Sequence, residues 1–102
     1  MPNIGVATIQ AKAPAISSVG NSSTQVLAQT IDRVGLELVN ISDSTVYLGF
    51  TGNAAVLLKG SVLTAGGGSW TMDDYNFTNE AVTAIAHTAA SLLSVQEYVR
   101  VK

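Results

Sequence analysis

From Ser23 onward, turn-forming residues interrupt the chain every eight to twelve positions, and this cadence constrains its fold more than any other feature. An amphipathic helix needs a longer unbroken run, whereas short strands joined by tight turns fit the spacing. Residues 25–29 form a first short strand. Val34, Leu36 and Leu38 alternate with Arg33, Gly35 and Glu37, which predicts one buried and one wet face. Asn40, Ser42, Asp43 and Ser44 supply turn chemistry, because these side chains bond nearby backbone. Residues 45–50 are the clearest strand, with Val46, Leu48 and Phe50 on one face. Residues 54–58 are predicted as a short apolar strand closed by a turn at Lys59-Gly60. Gly66-Gly67-Gly68 cannot pack and marks a loop needing positive φ or close backbone approach. Residues 69–72 are read as a strand and 73–79 as a polar loop.

The last third has two readings. Val82, Ile85, Ala86, Ala89, Leu92 and Leu93 fit a helical stripe that Thr78 or Asn79 could cap. Alternatively, residues 81–86 and 92–101 are two strands around His87, since Val82, Thr83, Ile85, Val95, Tyr98, Val99 and Val101 favour strands. The strand-rich remainder of the chain favours the second reading. Residues 1–22 are small and polar and are read as an extended or flexible N-terminal arm, with Pro14 biasing Ala13 toward extended backbone. Residues 23–102 then form one all-β domain, of two packed sheets or a small closed barrel.

Composition narrows the function classes. Only 12% of the 102 residues are charged, about half the ordinary ~25%, and the net charge is −2. Such a surface tends to self-associate, so a homo-oligomer or larger assembly is expected to cover it. Lys and Arg number 5 against 7 Asp and Glu, which gives no basic footprint for nucleic acid. Zero cysteines remove thiolate zinc sites, disulfides and cysteine nucleophiles. The start of the chain lacks the pattern of a secretory signal, and no apolar run approaches the ~18 residues of a membrane helix.

No catalytic, cofactor or metal residue is predicted. His87 is the one histidine, and no Gly-x-Ser-x-Gly elbow accompanies it, so an edge or loop role is expected over a hydrolase. The 73–80 loop is rich in oxygen ligands but lacks the EF-hand pattern, and reads as a solvated turn. Gly66-Gly67-Gly68-Ser69 lacks the Lys and Ser/Thr of a phosphate loop. Trp70, Tyr75 and Phe77 gather beside acids and Asn, which would suit a glycan or a protein partner; the plainer reading puts Trp70 in the core and the others at an edge. The alternating end, Tyr98 and Val101 included, reads as a terminal strand whose edge could be augmented. Candidate interface positions are therefore Pro14 and Ile16 in the arm, Trp70, Tyr75 and Phe77, and Tyr98 and Val101.

The succession of an Arg-led strand ending in Asn40, Val46-Tyr47-Leu48-Gly49, Gly60-Ser61-Val62-Leu63, Gly66-Gly67-Gly68-Ser69-Trp70, residues 81–86 and residues 93–97 resembles small virion proteins of tailed bacteriophages. The resemblance covers residues 30–98 and contains no catalytic signature. It implies a small two-sheet β-sandwich, jelly-roll-like, commonly homotrimeric. It further implies head decoration (cement) on the capsid surface, with the major capsid protein or other virion proteins as partners. The alternative is a tail or fibre module that binds a host glycan or another virion protein. The arm would then reach across neighbouring subunits.

Overall fold

The computed structural model describes residues 8–73, 76–88 and 91–101. Its elements are β1 (Thr8–Ala11), β2 (Ala15–Val19), β3 (Thr24–Leu27), β4 (Arg33–Asn40), β5 (Val46–Gly49), β6 (Ser61–Leu63), β7 (Ser69–Thr71), β8 (Val82–Ala86) and β9 (Ser91–Val101). All pairings are antiparallel. One sheet has the order β1-β9-β4-β7 with β2 also on β9, and the other the order β3-β8-β5-β6.

The pairing is nested. β5 pairs β6, β4 pairs β7, β3 pairs β8 and β2 pairs β9. This is one long hairpin rolled so that successive pairs fall in opposite sheets, which is the jelly-roll arrangement. The fold is therefore the small two-sheet β-sandwich expected. β1 and β2 lie end to end along the long β9, as Thr8–Ala11 and Ala15–Val19 respectively. The stretch read as an arm thus supplies two edge strands, and Val19 reaches the core although its neighbours are small and polar.

The core fills the space between the sheets with Leu36 and Leu38 of β4, Val46 and Leu48 of β5, Leu63, Val82, Ala84 and Ala86 of β8, and Leu93 and Val95 of β9. Each fully buried leucine or valine contributes about 1.5–3 kcal/mol. A second, smaller cluster of Tyr47, Ala55 and Ile85 lies on the far side of the β3-β8-β5-β6 sheet. The 50–60 segment covers that side, so β8 is buried on both faces, all five residues of it. This explains why residues 82–86 also fit a helical stripe: a strand covered on both faces loses its alternation.

Two expectations are corrected. Residues 54–58 are not a strand; they form a capping loop whose Lys59 N–H donates to Val56 O in a tight turn. Arg33 is not on a wet face but fully buried. A register shift between Arg33 and Gly35 inserts Val34 as an extra residue, which turns Arg33 inward.

The glycine-rich loop carries the chain from one sheet to the other. Gly66 and Gly67 have φ of 73° and 119°. Their N–H groups donate to Ser42 O and Asn40 O, both at 2.8 Å, and the Gly68 N–H donates to Thr64 O. These donors are occupied by backbone carbonyls, so the loop does not present them to a phosphate. Buried Asn40 pins the crossing: its Nδ2 donates to Ser44 O (2.7 Å) and Leu63 O (3.0 Å), and its Oδ1 accepts from Ser42 Oγ (2.6 Å). Asn40→Ala removes these hydrogen bonds from a buried site and is expected to cost about 1–3 kcal/mol, readable as a lowered urea midpoint with unchanged slope.

Candidate interaction surfaces

The outward face of the β1-β9-β4-β7 sheet is the broadest candidate. A row of facing residues crosses four strands: Ile16 opposite Ser94, Ser94 opposite Val39, and Val39 opposite Ser69. Ser18 and Leu92 pair in the adjoining row, and the N–H of Ile41 donates to Leu92 O. Ile16 is 64% exposed, and Leu92 and Ile41 are exposed too. The face mixes aliphatic with small polar residues and carries little charge, with Glu37 opposite Gln96 as its outward acid. Beside this row lies a shallow depression of about 550 Å³ lined by Pro14, Ala15, Ile16 and Ser94. It opens where the edge breaks between β1 and β2. Pro14 has no N–H to extend the ladder, a usual way of blunting an edge.

The edge is tied down by charge. Arg33 Nε donates to Glu97 Oε2 (2.7 Å), and Lys12 Nζ lies 3.6 Å from Glu97 Oε1. The other Arg33 nitrogens donate to Ala28 O (2.8 Å), Glu80 O (2.8 Å) and Thr78 O (3.3 Å). One guanidinium thereby joins β9 to two loops at one end of the sandwich. Gln96 Nε2 donates to Lys12 O and the Lys12 N–H to Glu97 O, which hold the link between β1 and β2 in place.

The sequence-predicted positions do not form one site. Pro14 and Ile16 meet at the depression. Tyr98 lies opposite Gly35, and a Cβ there would stand 3.2 Å from the Tyr98 ring, so the ring covers the glycine. Val101 ends β9 opposite Thr8 and is partly exposed. Trp70 faces inward opposite Leu38 and stacks on Phe50, with ring centroids 4.4 Å apart. That stacking takes one face of the indole away from any sugar. Phe77 is 50% exposed in the loop after β7. Tyr75 lies outside the described residues. In the same loop Asp73 and Asn76 bond each other's backbone N–H, a local turn of the kind the residue types predict.

His87 is exposed, and its ring meets Tyr47 edge-on at 5.4 Å. Among the described residues no group of three or more His, Asp or Glu is placed to hold a metal, and no helix is long and apolar enough to cross a membrane.

A second surface escapes sequence reasoning. Val56, Leu57, Leu58 and Val62 are all exposed on the outer side of the β3-β8-β5-β6 sheet, around the turn of the capping loop. Their apolar run is the signal, but it is the same signal that predicts a buried strand.

No family model and no curated protein matches this chain. Its structure is similar to that of a protein of Bacillus endospore appendages, described as a novel family of disulfide-linked pili. The two share 15% identity at a TM-score of 0.56, over 100% of this chain and 96% of that one. At that identity the likeness shows the fold alone.

Proposed function

We propose that this chain is a structural virion protein that decorates a bacteriophage capsid and stabilises it by binding the assembled shell. The observation that carries this reading is the outer face from Ile16 to Ser69, in which aliphatic and small polar residues mix and charge is sparse. Such a face suits a broad contact with a protein lattice and offers little to a small polar substrate. The resemblance of residues 30–98 to phage virion proteins names the lattice. The likeness to a pilus-forming protein supports a fold suited to repeated assembly. That protein is described as disulfide-linked, whereas this chain has no cysteine and relies on non-covalent contacts.

The mechanism is linkage. A protein that binds the closed lattice and not the free shell subunit adds its binding energy to the lattice. Repetition over many sites raises the effect through avidity, and a homotrimer would engage several subunits at once. The major capsid protein is the expected partner, and the capsid surface the expected location.

The test adds purified protein to shells that lack it. Co-sedimentation with shells, no binding to free capsid protein and a raised shell melting temperature are the expected results. Failure to bind shells, or equal binding to free subunits, overturns the reading. Quantitative mass spectrometry of virions adds an independent measure: a copy number that is a simple fraction of the shell protein's is expected. A few copies per particle would instead favour the tail or fibre reading, with Phe77 as the residue to test against host glycans.

A further inference from the structure

Leu58 combines two unfavourable features. It is 73% exposed, and its φ is +67°, the left-handed region that a bulky side chain rarely enters. It occupies the third position of the Val56–Lys59 turn, where a positive φ ordinarily calls for Gly or Asn. The loop does not drift into this shape. Ala55 is buried and its N–H donates to Ser23 Oγ (2.8 Å), while Asn53 O accepts from Thr83 Oγ1 (2.7 Å). The strained turn is thus presented as a fixed apolar knob, flanked by Val56 and Val62. Strain and exposure together at one residue point to a contact that the isolated chain does not make.

The outer face of the other sheet carries the shallow depression of Pro14, Ala15, Ile16 and Ser94, about 550 Å³ and lined mostly by apolar atoms. Charges complement across the two surfaces. Exposed Lys59 follows Leu58 directly, and exposed Glu37 stands on the outer face diagonal to Ser94. Neither has an ion-pair partner among the described residues, whereas Lys12 near the hollow is engaged by Glu97.

The geometry points to a second copy of this chain as the occupant: Leu58 of one copy enters the Pro14–Ile16 hollow of the next, with Lys59 set against Glu37. Knob and hollow lie on opposite sheets, so the contact is heterologous. It closes into a ring if the rotation permits and otherwise runs on as a filament. The hollow shares Ile16 and Ser94 with the face assigned to shell contact, but the test of self-association uses the purified chain alone.

The experiment is sedimentation velocity on the purified full chain over a range of concentrations. Concentration-dependent association is expected for the wild type. Leu58→Gly removes the knob and relieves the backbone, so it keeps its fold by circular dichroism, and its dissociation constant rises at least about tenfold. Ile16→Ser does the same from the other side. Mixing these two variants restores a dimer and nothing larger, since the mixture holds one intact knob and one intact hollow. Lys59→Glu weakens association, and Lys59→Glu/Glu37→Lys recovers it. A wild type that stays monomeric at every concentration overturns the inference. So does a folded Leu58→Gly that associates like the wild type, or a mixture that fails to dimerise. None of these failures bears on co-sedimentation with shells.

Discussion

Arg33→Met is expected to lower the unfolding free energy by about 3–5 kcal/mol, seen as a fall in melting temperature of more than about 12 °C. Arg33 is fully buried, and its guanidinium binds Glu97 and three backbone carbonyls. Methionine fills much of the volume but donates nothing. Glu97, itself buried, would keep only the longer contact to Lys12. Removing one partner of a buried pair costs far more than replacing both, because the remaining charge stays in a poor solvent. Arg33→Met/Glu97→Met is therefore expected to be more stable than Arg33→Met alone. Thermal unfolding of the two variants decides it; a double variant no more stable than the single would show that the stranded carboxylate does not set the cost. The same pair holds the arm, so Arg33→Met should also speed proteolysis near Lys12.

The second large effect is expected at Gly60. Its φ is +83°, and a Cβ there would overlap Leu48 O in the neighbouring strand. Gly60→Ala must both adopt a left-handed backbone and displace a β-sheet carbonyl, at a combined cost of about 2–5 kcal/mol. Gly20→Ala is the control. A methyl group added there would meet no atom within 4 Å and its φ is ordinary, so its change should stay within about 0.5 kcal/mol. Urea midpoints of the two variants, compared at equal slope, test the pair. Equal midpoints would mean that the loop after residue 50 yields to the methyl group. Because that loop carries Leu58, a folded Gly60→Ala should also associate more weakly than the wild type.

Turn residues at short intervals are enough to exclude long helices, since each interruption stops the chain before a stable helical nucleus can extend. The alternation in β4 and β5 marks the inward leucines Leu36, Leu38 and Leu48, because a strand's side chains must alternate. Low charge and zero cysteine bear on surface chemistry without reference to any fold. The positive φ at Gly66 and Gly67 was legible too, because only glycine tolerates it freely.

Pairing was not legible. Which strand lies beside which follows from rolling the long hairpin, and nothing local in the residues encodes that nesting. The bulge at Val34 is a single-residue slip, and a single slip reverses faces; it alone turns Arg33 from a surface charge into a buried clamp on Glu97. Covering both faces of β8 erased its alternation, and the cover is the 50–60 segment that local pattern assigns to a strand. Pro14 and Ile16 come to line one hollow only because β2 lies along β9. The residues by themselves determine that the chain makes short strands and that its surface is weakly charged. Tertiary structure decides which apolar groups are hidden and which are left facing outward, because burial is a property of neighbours that are distant in sequence.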